Sequence, residues 1–420
     1  MTNETDILSI NELLEQLGRE PISITEIMVT PITYKPADGS YIHECGPVVL
    51  TKRDAAVIQV FTDQGIIGIG PGEPRDAERD YSHLVGQNPF DIPTMSVGGG
   101  IDVACWDIIG RAKGQPVYQI LAGDHEPNPE VHVYASGGVM WTYYDRGDGQ
   151  AYGVEALIEE ALSYKALGFD TFKWRPGTDW DEASVNPTKL GEICQQLREA
   201  VGPDFDLGLE KKGYDSWTFD ECIEIAPIIN ELNFLFFEQP MGDQGPAQFA
   251  DYQTIKDQMP NVMLWGGESL RSVAKAEPWI TQEIYDAIQT DCHYIGLTEE
   301  WRIAQLANQH GIKIVPHNWS TSLGTMCNSH IVAAVASGHM CEFFMYPNGF
   351  REGLLKEPYV PKNGIITLSD KPGFGMELVD DFTQRFPYQP GPNTIANPRF
   401  PHAWPRVRER EEAVSAKYRS

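Results

Sequence analysis

Glu210, Glu238 and Glu268 each close a short apolar stretch: Asp206-Leu207-Gly208-Leu209-Glu210, Phe234-Leu235-Phe236-Phe237-Glu238 and Leu264-Trp265-Gly266-Gly267-Glu268. Ile312-Lys313-Ile314-Val315-Pro316-His317 ends in a histidine, and Ala287–Asp291 ends in another acid. An ionised group loses its water in a core and is costly there, so polar tips on successive buried strands point to one shared pocket. Neighbouring strand tips lie about 5 Å apart. Three carboxylates at that spacing repel one another unless a cation sits among them. Oxygen donors without thiolate suit Mg²⁺, with Mn²⁺ next. The plainer alternative is three separate acids, each paired with a nearby Lys or Arg.

Thr171-Phe172-Lys173-Trp174-Arg175 ends a further strand. Residues i and i+2 face the same side, so Lys173 and Arg175 can enter the pocket together and offer positive charge to an anionic substrate. Only the lysine can readily lose its proton. Alone, the pair would read rather as a surface pair capping an adjacent helix. Lys212 shares a face with Glu210 if strand geometry persists, either as an acid at the metal's edge or as a counterion. Asp291 and His317, on adjacent strand tips, suit a dyad: a carboxylate on one ring nitrogen leaves the other for proton transfer. The alternative for His317 is a structural hydrogen bond. Glu342, at the start of an eighth strand, suits a hydrogen bond to a developing enolate oxygen, or support of another side chain.

Holding such tips together takes a parallel barrel, whose catalytic groups come from the C-terminal ends of several strands. Eight strand candidates follow Pro129: Val131–Ala135, Thr171–Arg175, Asp206–Glu210, Phe234–Gln239, Leu264–Ser269, Ala287–Asp291, Lys313–Asn318 and Cys341–Tyr346. Amphipathic segments such as Val154–Leu167 and Thr298–His310 separate them, with a repeat of about 30 residues, the size of a βα unit. This rhythm predicts a (β/α)₈-type barrel over an open doubly wound sheet. Gly98-Gly99-Gly100 lacks the spacing of a dinucleotide fingerprint. The region before Pro129 reads as a strand meander followed by helices, an α+β domain, with Tyr34 to Pro47 as a contact loop. The expected division is a 1–21 extension whose amphipathic patch Ile10–Leu17 forms a short helix or a loosely docked tail, a capping domain at 22–128, a barrel at 129–370, and a 371–420 segment packing back on the capping domain.

The chain has 420 residues and a net charge of −28. That charge argues against nucleic acid and against anionic membranes, both of which select basic surfaces. Seven widely spaced cysteines with no Cys-x-x-Cys fit reduced thiols better than a disulfide framework or a thiolate zinc site. A polar, acidic N-terminus and the lack of a run of about 20 apolar residues lead to the expectation of a soluble, cytoplasmic protein. Its expected partners are a small acid substrate and further copies of itself as a homo-oligomer.

The order and spacing of these residues resemble the enolase superfamily, in its mandelate racemase/muconate lactonizing enzyme-like branch, from about Ile22 to Leu378. The longest matching stretch runs from Ile101 to Gly123. Others are Phe237-Glu238-Gln239-Pro240, Gly267-Glu268-Ser269, Val315-Pro316-His317-Asn318 and Lys371-Pro372-Gly373-Phe374-Gly375. The resemblance implies an α/β fold: a modified TIM barrel, (β/α)₇β, under an N-terminal α+β capping domain. It implies Mg²⁺ held by Glu210, Glu238 and Glu268, and the dyad His317 with Asp291. It also implies the family's first lysine at Lys173 and a substrate-carboxylate partner at Glu342.

Two positions depart from the pattern. Glu210 stands where Asp is common, and Arg175 replaces a second lysine. A guanidinium is a poor base, which lowers racemisation and leaves one-base elimination intact. The expected activity is therefore dehydration of an aldonate-type sugar acid, through an enediolate, to a 2-keto-3-deoxy acid. His317 would fill one proton role, and Lys173 or Lys212 the other. Alternatives are an epimerase or racemase, a cycloisomerase of an anhydro sugar acid, or a non-catalytic binding module. Tyr34, Tyr41 and His43 in the capping loop, with Trp141, Tyr143 and Tyr144 after the first barrel strand, offer donors to a polyol or simply pack the domain interface.

Overall fold

The computed structural model describes residues 9–40, 42–45, 48–95, 97–138, 144–145, 151–152, 154–176, 186–210 and 217–396. Ser9 and Glu12 form a reciprocal capping box that starts α1 (Ile10–Leu17), which buries Ile10, Leu13 and Leu14. The strands β1 (Ile24–Tyr34), β2 (Arg53–Thr62) and β3 (Ile67–Gly72) form an antiparallel sheet in the order β1-β2-β3. The long helix α2 (Gly99–Lys113) packs on β3. Part of the expected contact loop is ordered as a strand: His43–Cys45 pairs with Val48–Leu50, which pairs with Thr394–Ala396 from the far end of the chain.

The barrel strands are β4 (Glu130–Ser136), β5 (Thr171–Trp174), β6 (Asp206–Glu210), β7 (Phe236–Glu238), β8 (Met263–Gly266), β9 (Ala287–Ile288), β10 (Lys313–Ile314) and β11 (Cys341–Phe344). They pair in parallel in the order β10-β9-β8-β7-β6-β5-β4-β11. A parallel bridge between Ile314 and Gly338, and the Glu342 N–H donating to Pro316 O at 3.3 Å, bring β11 back to β10 and close the ring. The intervening helices are α3 (Val154–Ala166), α4 (Pro187–Val201), α5 (Phe219–Glu231), α6 (Phe249–Gln258), α7 (Val273–Thr281), α8 (Leu297–Gln309) and α9 (Ser322–Ala334). One lies between each successive pair of strands, which makes the (β/α)₇β arrangement. Strand residues such as Thr171–Trp174 are buried throughout, as parallel strands covered on both faces must be.

Inside the ring, Tyr134, Phe236, Trp265, Ala287, Val315 and Met340 form a separate apolar cluster. Phe236 and Trp265 stack at 3.6 Å. Gly208 makes room for that stack, because a Cβ there would stand 2.0 Å from the Phe236 ring. Phe236 precedes Glu238 by two residues on the same strand face, so this plug is the floor on which the carboxylate layer rests.

Motif residues without a place at the barrel mouth hold the parts together. Asp107 accepts from the N–H of Ile69, from Arg111 Nε and from the N–H of Phe374, tying sheet, helix and C-terminal segment. Asp102 accepts from the N–H and hydroxyl of Thr298 at the start of α8, and Trp106 Nε1 donates to the same hydroxyl at 2.8 Å. The long stretch Ile101–Gly123 is thus a docking face for the barrel. Among the described residues, no helix is long and apolar enough to cross a membrane.

Candidate active site

Regular pairing ends sooner than the apolar runs suggest. Glu210 and Glu238 are the last residues of β6 and β7 and sit directly opposite in register. Glu268 lies two residues past β8, Asp291 three past β9 and His317 three past β10. Glu268, Asp291 and His317 thus stand on the turns that leave the strands, past the regular ladder.

Lys173 Nζ sits at the centre of the acids, 2.7 Å from Glu238 Oε1, 2.8 Å from Glu342 Oε1 and 3.0 Å from Glu210 Oε2. Arg175 Nη2 also pairs with Glu210 Oε2. Lys173, Glu210, Glu238 and Glu342 are all buried. Burial works against the ammonium, but the three carboxylates outweigh it and hold the Lys173 pKa above its usual value. Glu342 stays ionised: burial opposes its charge, while Lys173, His317 and Arg175 hold its pKa well below the usual carboxylate range. Glu238 goes the other way, pushed up to about 8 by burial, with Lys173 opposing and the other acids assisting.

Glu342 is fixed on every side. It accepts from Ser136 Oγ at 2.5 Å, Trp319 Nε1 at 2.8 Å and the Asn318 N–H at 2.9 Å. The Trp319 ring in turn lies 4.3 Å from the Arg175 guanidinium, within cation–π range.

His317 Nδ1 stands 3.0 Å from Asp291 Oδ2, and its Nε2 is 3.6 Å from Glu268 Oε2. A carboxylate partner requires Nδ1 to carry hydrogen, which leaves Nε2 for proton exchange. Burial would lower the His317 pKa, but the Asp291 hydrogen bond and the charges of Glu342 and Glu268 raise it to about 9. Asn328, from α9, donates to Asp291 Oδ1 at 2.9 Å and to His317 O at 3.0 Å, so one side chain fixes both members.

The fold therefore brings Glu210, Glu238, Lys173, Arg175 and Glu342 into one buried cluster, with Glu268, His317 and Asp291 at its rim. Glu210 and Glu238 converge on Lys173, while Glu268 lies near His317 Nε2. Among the described residues, no three His, Cys, Asp or Glu side chains are set closely enough as placed to hold an ion. The donor set nonetheless fits Mg²⁺. The candidate ligands are all carboxylates, and the buried Glu210 Oε2 contacts cations but has no hydrogen bond of good geometry. Lys173 and Arg175 pair with Glu210, Glu238 and Glu342 between them, and His317 pairs with Glu268 and Asp291, so five carboxylates gather at this end of the barrel. That excess of negative charge suits a divalent cation.

Tyr34 packs its ring edge-on against Phe350 at 6.2 Å. Tyr41, Trp141, Tyr143 and Lys212 lie outside the described residues, as do the side chains of His43 and Tyr144. Sequence reasoning missed Gln289, Trp319 and Asn328. Gln289 Nε2 donates to Glu238 Oε2 at 2.6 Å. It precedes Asp291 by two residues and Trp319 follows His317 by two, but all four lie past the ends of β9 and β10, where strand alternation no longer fixes the side a residue faces. No local pattern marks Asn328 on a helix buried all round.

A closed barrel under an α+β cap, with acids and a His–Asp pair on its strand-end turns, defines the class. The chain belongs to the enolase C-terminal domain-like family, whose model matches residues 156–382. It is 27% identical over 403 residues to a D-xylonate dehydratase of Haloferax volcanii, covering 87% of this chain and 92% of that protein. It is 28% identical over 359 residues to a D-galactarolactone cycloisomerase of Agrobacterium fabrum, covering 82% and 86%. Among solved structures, the 3,6-anhydro-D-galactonate cycloisomerase of Zobellia galactanivorans superposes with a TM-score of 0.70 at 22% identity, covering 87% of this chain and 100% of that one. An enolase-superfamily member from Polaromonas sp. JS666 gives 0.71 at 23%, covering 88% and 99%. These superpositions share the fold.

Proposed function

We propose that this chain is a Mg²⁺-dependent hydro-lyase that dehydrates an aldonate-type sugar acid to a 2-keto-3-deoxy acid. The carrying observation is that, among the described residues, proton-transfer chemistry lies on one side of the cluster. His317 is oriented by Asp291, whereas Lys173 is locked as a cation among three carboxylates.

Glu210, Glu238 and Glu268 would hold the cation, with Mn²⁺ as a substitute. When bound, it supplies positive charge that makes the proton beside the substrate carboxylate easier to remove. In its neutral form, His317 Nε2 takes that proton and returns it to the departing hydroxyl from the same face, so the elimination is syn. Asp291 holds the ring in the tautomer this needs. Lys173 keeps its proton and supports negative charge as it develops; Arg175 and Glu342 fix its position. The site is built on an enzyme divided as 22–128 for the cap and 129–370 for the barrel, with the segment from 371 returning to the cap.

The second reading is cycloisomerisation of a sugar lactone or anhydro acid, favoured by the cycloisomerase relative. It uses the same single proton carrier. Racemisation needs a competent base on each face, and neither Lys173 nor Arg175 offers one. The test is an acid-sugar library with Mg²⁺ in D₂O, read by a keto-acid assay and by NMR. Keto-acid formation supports dehydration. Deuterated substrate returned without keto acid supports epimerisation, and turnover equal with and without chelator ends the metal reading.

A further inference from the structure

Two of the acids assigned above to a cation stand at points where the strand ladder stops. The last pair between β7 and β8 is Glu238 with Trp265, and β8 ends one residue later at Gly266. Gln239 then turns with φ 46° and Gly267 with φ 106°, and Glu268 follows with no ladder partner. The carboxylate of Asp243 spans this gap. Its Oδ2 accepts from Gln239 Nε2, from Ser269 Oγ at 2.6 Å and from the Ser269 N–H at 3.3 Å. Its Oδ1 accepts from Tyr285 OH at 2.6 Å. The residue after Glu238 and the residue after Glu268 are thus tied to one side chain.

The clamp itself is anchored. Tyr285 is fully buried, and its ring fills the space beside Gly266, where a Cβ would come within 2.3 Å of it. Tyr252 OH donates to Gly242 O at 2.9 Å, holding the loop that carries Asp243, and its ring meets Tyr285 edge-on at 5.5 Å. No contact here involves a reacting group. The geometry serves to set the spacing between two acid-bearing turns.

We propose that Asp243 is a positioning residue that sets the distance between Glu238 and Glu268 for a shared divalent cation. This rests on the metal reading above. Partners behind metal ligands typically contribute 10–100-fold to affinity. Asp243→Ala is therefore expected to raise the Kd for Mn²⁺ and Mg²⁺ by about that factor. Asp243→Asn should stay within a few-fold of wild type: its amide oxygen can serve Ser269 and Gln239 while its NH₂ donates to the rotatable Tyr285 hydroxyl. Ser269→Ala, at an exposed position, removes one bond and should weaken binding to an intermediate degree.

The measurements are calorimetric titration of each folded variant with Mn²⁺ and Mg²⁺, the Mn²⁺ paramagnetic resonance spectrum, and a thermal melt. His330→Asn, whose ring meets Tyr118 and Phe374, serves as a control for general destabilisation and should keep the wild-type Kd. Equal Kd values in wild type and Asp243→Ala would overturn the clamp and leave the metal reading standing. Wild type that binds neither ion would overturn both. If Asp243→Ala does not fold, Ser269→Ala decides, and an unchanged Kd there overturns the clamp.

Discussion

At the residue scale, the site is governed by one lysine among three buried acids. Removing the cation from a buried ion pair typically costs about 3–5 kcal/mol because the remaining charge is left uncompensated. Lys173→Met should therefore lower unfolding stability in chelator by roughly that amount, measured by denaturant titration; an unchanged midpoint would show that the ion pairs seen here carry little. Glu238→Gln should lose Mg²⁺ binding and turnover with the fold retained, read by calorimetry and circular dichroism, and full activity would refute the assignment of that carboxylate. His317→Asn should abolish exchange of the substrate α-proton with D₂O. Persistent exchange would move the base to another residue, with Lys212 the first to examine.

At the scale of elements, the spacing of the acids depends on strand register. Gly208 pairs with Phe236 and Glu210 with Glu238, and the Phe236 ring lies over the missing Gly208 side chain. Gly208→Ala forces β6 and β7 apart or tilts the ring. Overpacking of this kind typically costs about 1–3 kcal/mol. The expected result is a lower melting temperature together with weaker Mg²⁺ binding; a drop in stability with unchanged affinity would mean that the plug and the acid layer are uncoupled.

At the scale of the whole molecule, cap and barrel meet through groups that titrate. The Tyr118 N–H, in the cap helix Val117–Ala122, donates to Nδ1 of His330 on α9 at 3.1 Å. His330 is buried, and burial depresses its pKa from 6.5 to about 3. The unfolded chain therefore binds a proton below 6.5 that the folded chain refuses until about 3. Stability from this group is complete above 6.5 and is lost progressively as pH falls toward 3. Chemical denaturation across that range should show the slope, and His330→Asn should flatten it while lowering stability at neutral pH. A slope unchanged in the variant would place the acid sensitivity elsewhere.

Much of this was legible in the chain itself. Apolar runs tipped with Glu210, Glu238, Glu268 and His317 repeat at βα spacing, and strand burial and side-chain alternation are local properties that a sequence records directly. Family membership and the barrel class followed from that pattern. The point where each strand ends did not, because pairing depends on what the neighbouring strand can still offer. Nor could the chain alone place Lys173 against Glu342, Asn328 behind Asp291 or Asp243 across two turns. Those contacts join side chains from different strands, turns and helices, and Lys173 meets Glu342 only once the barrel sets β11 beside β4. Charge pairing in a core is decided by distance in space and by the loss of water, and neither is written in residue order.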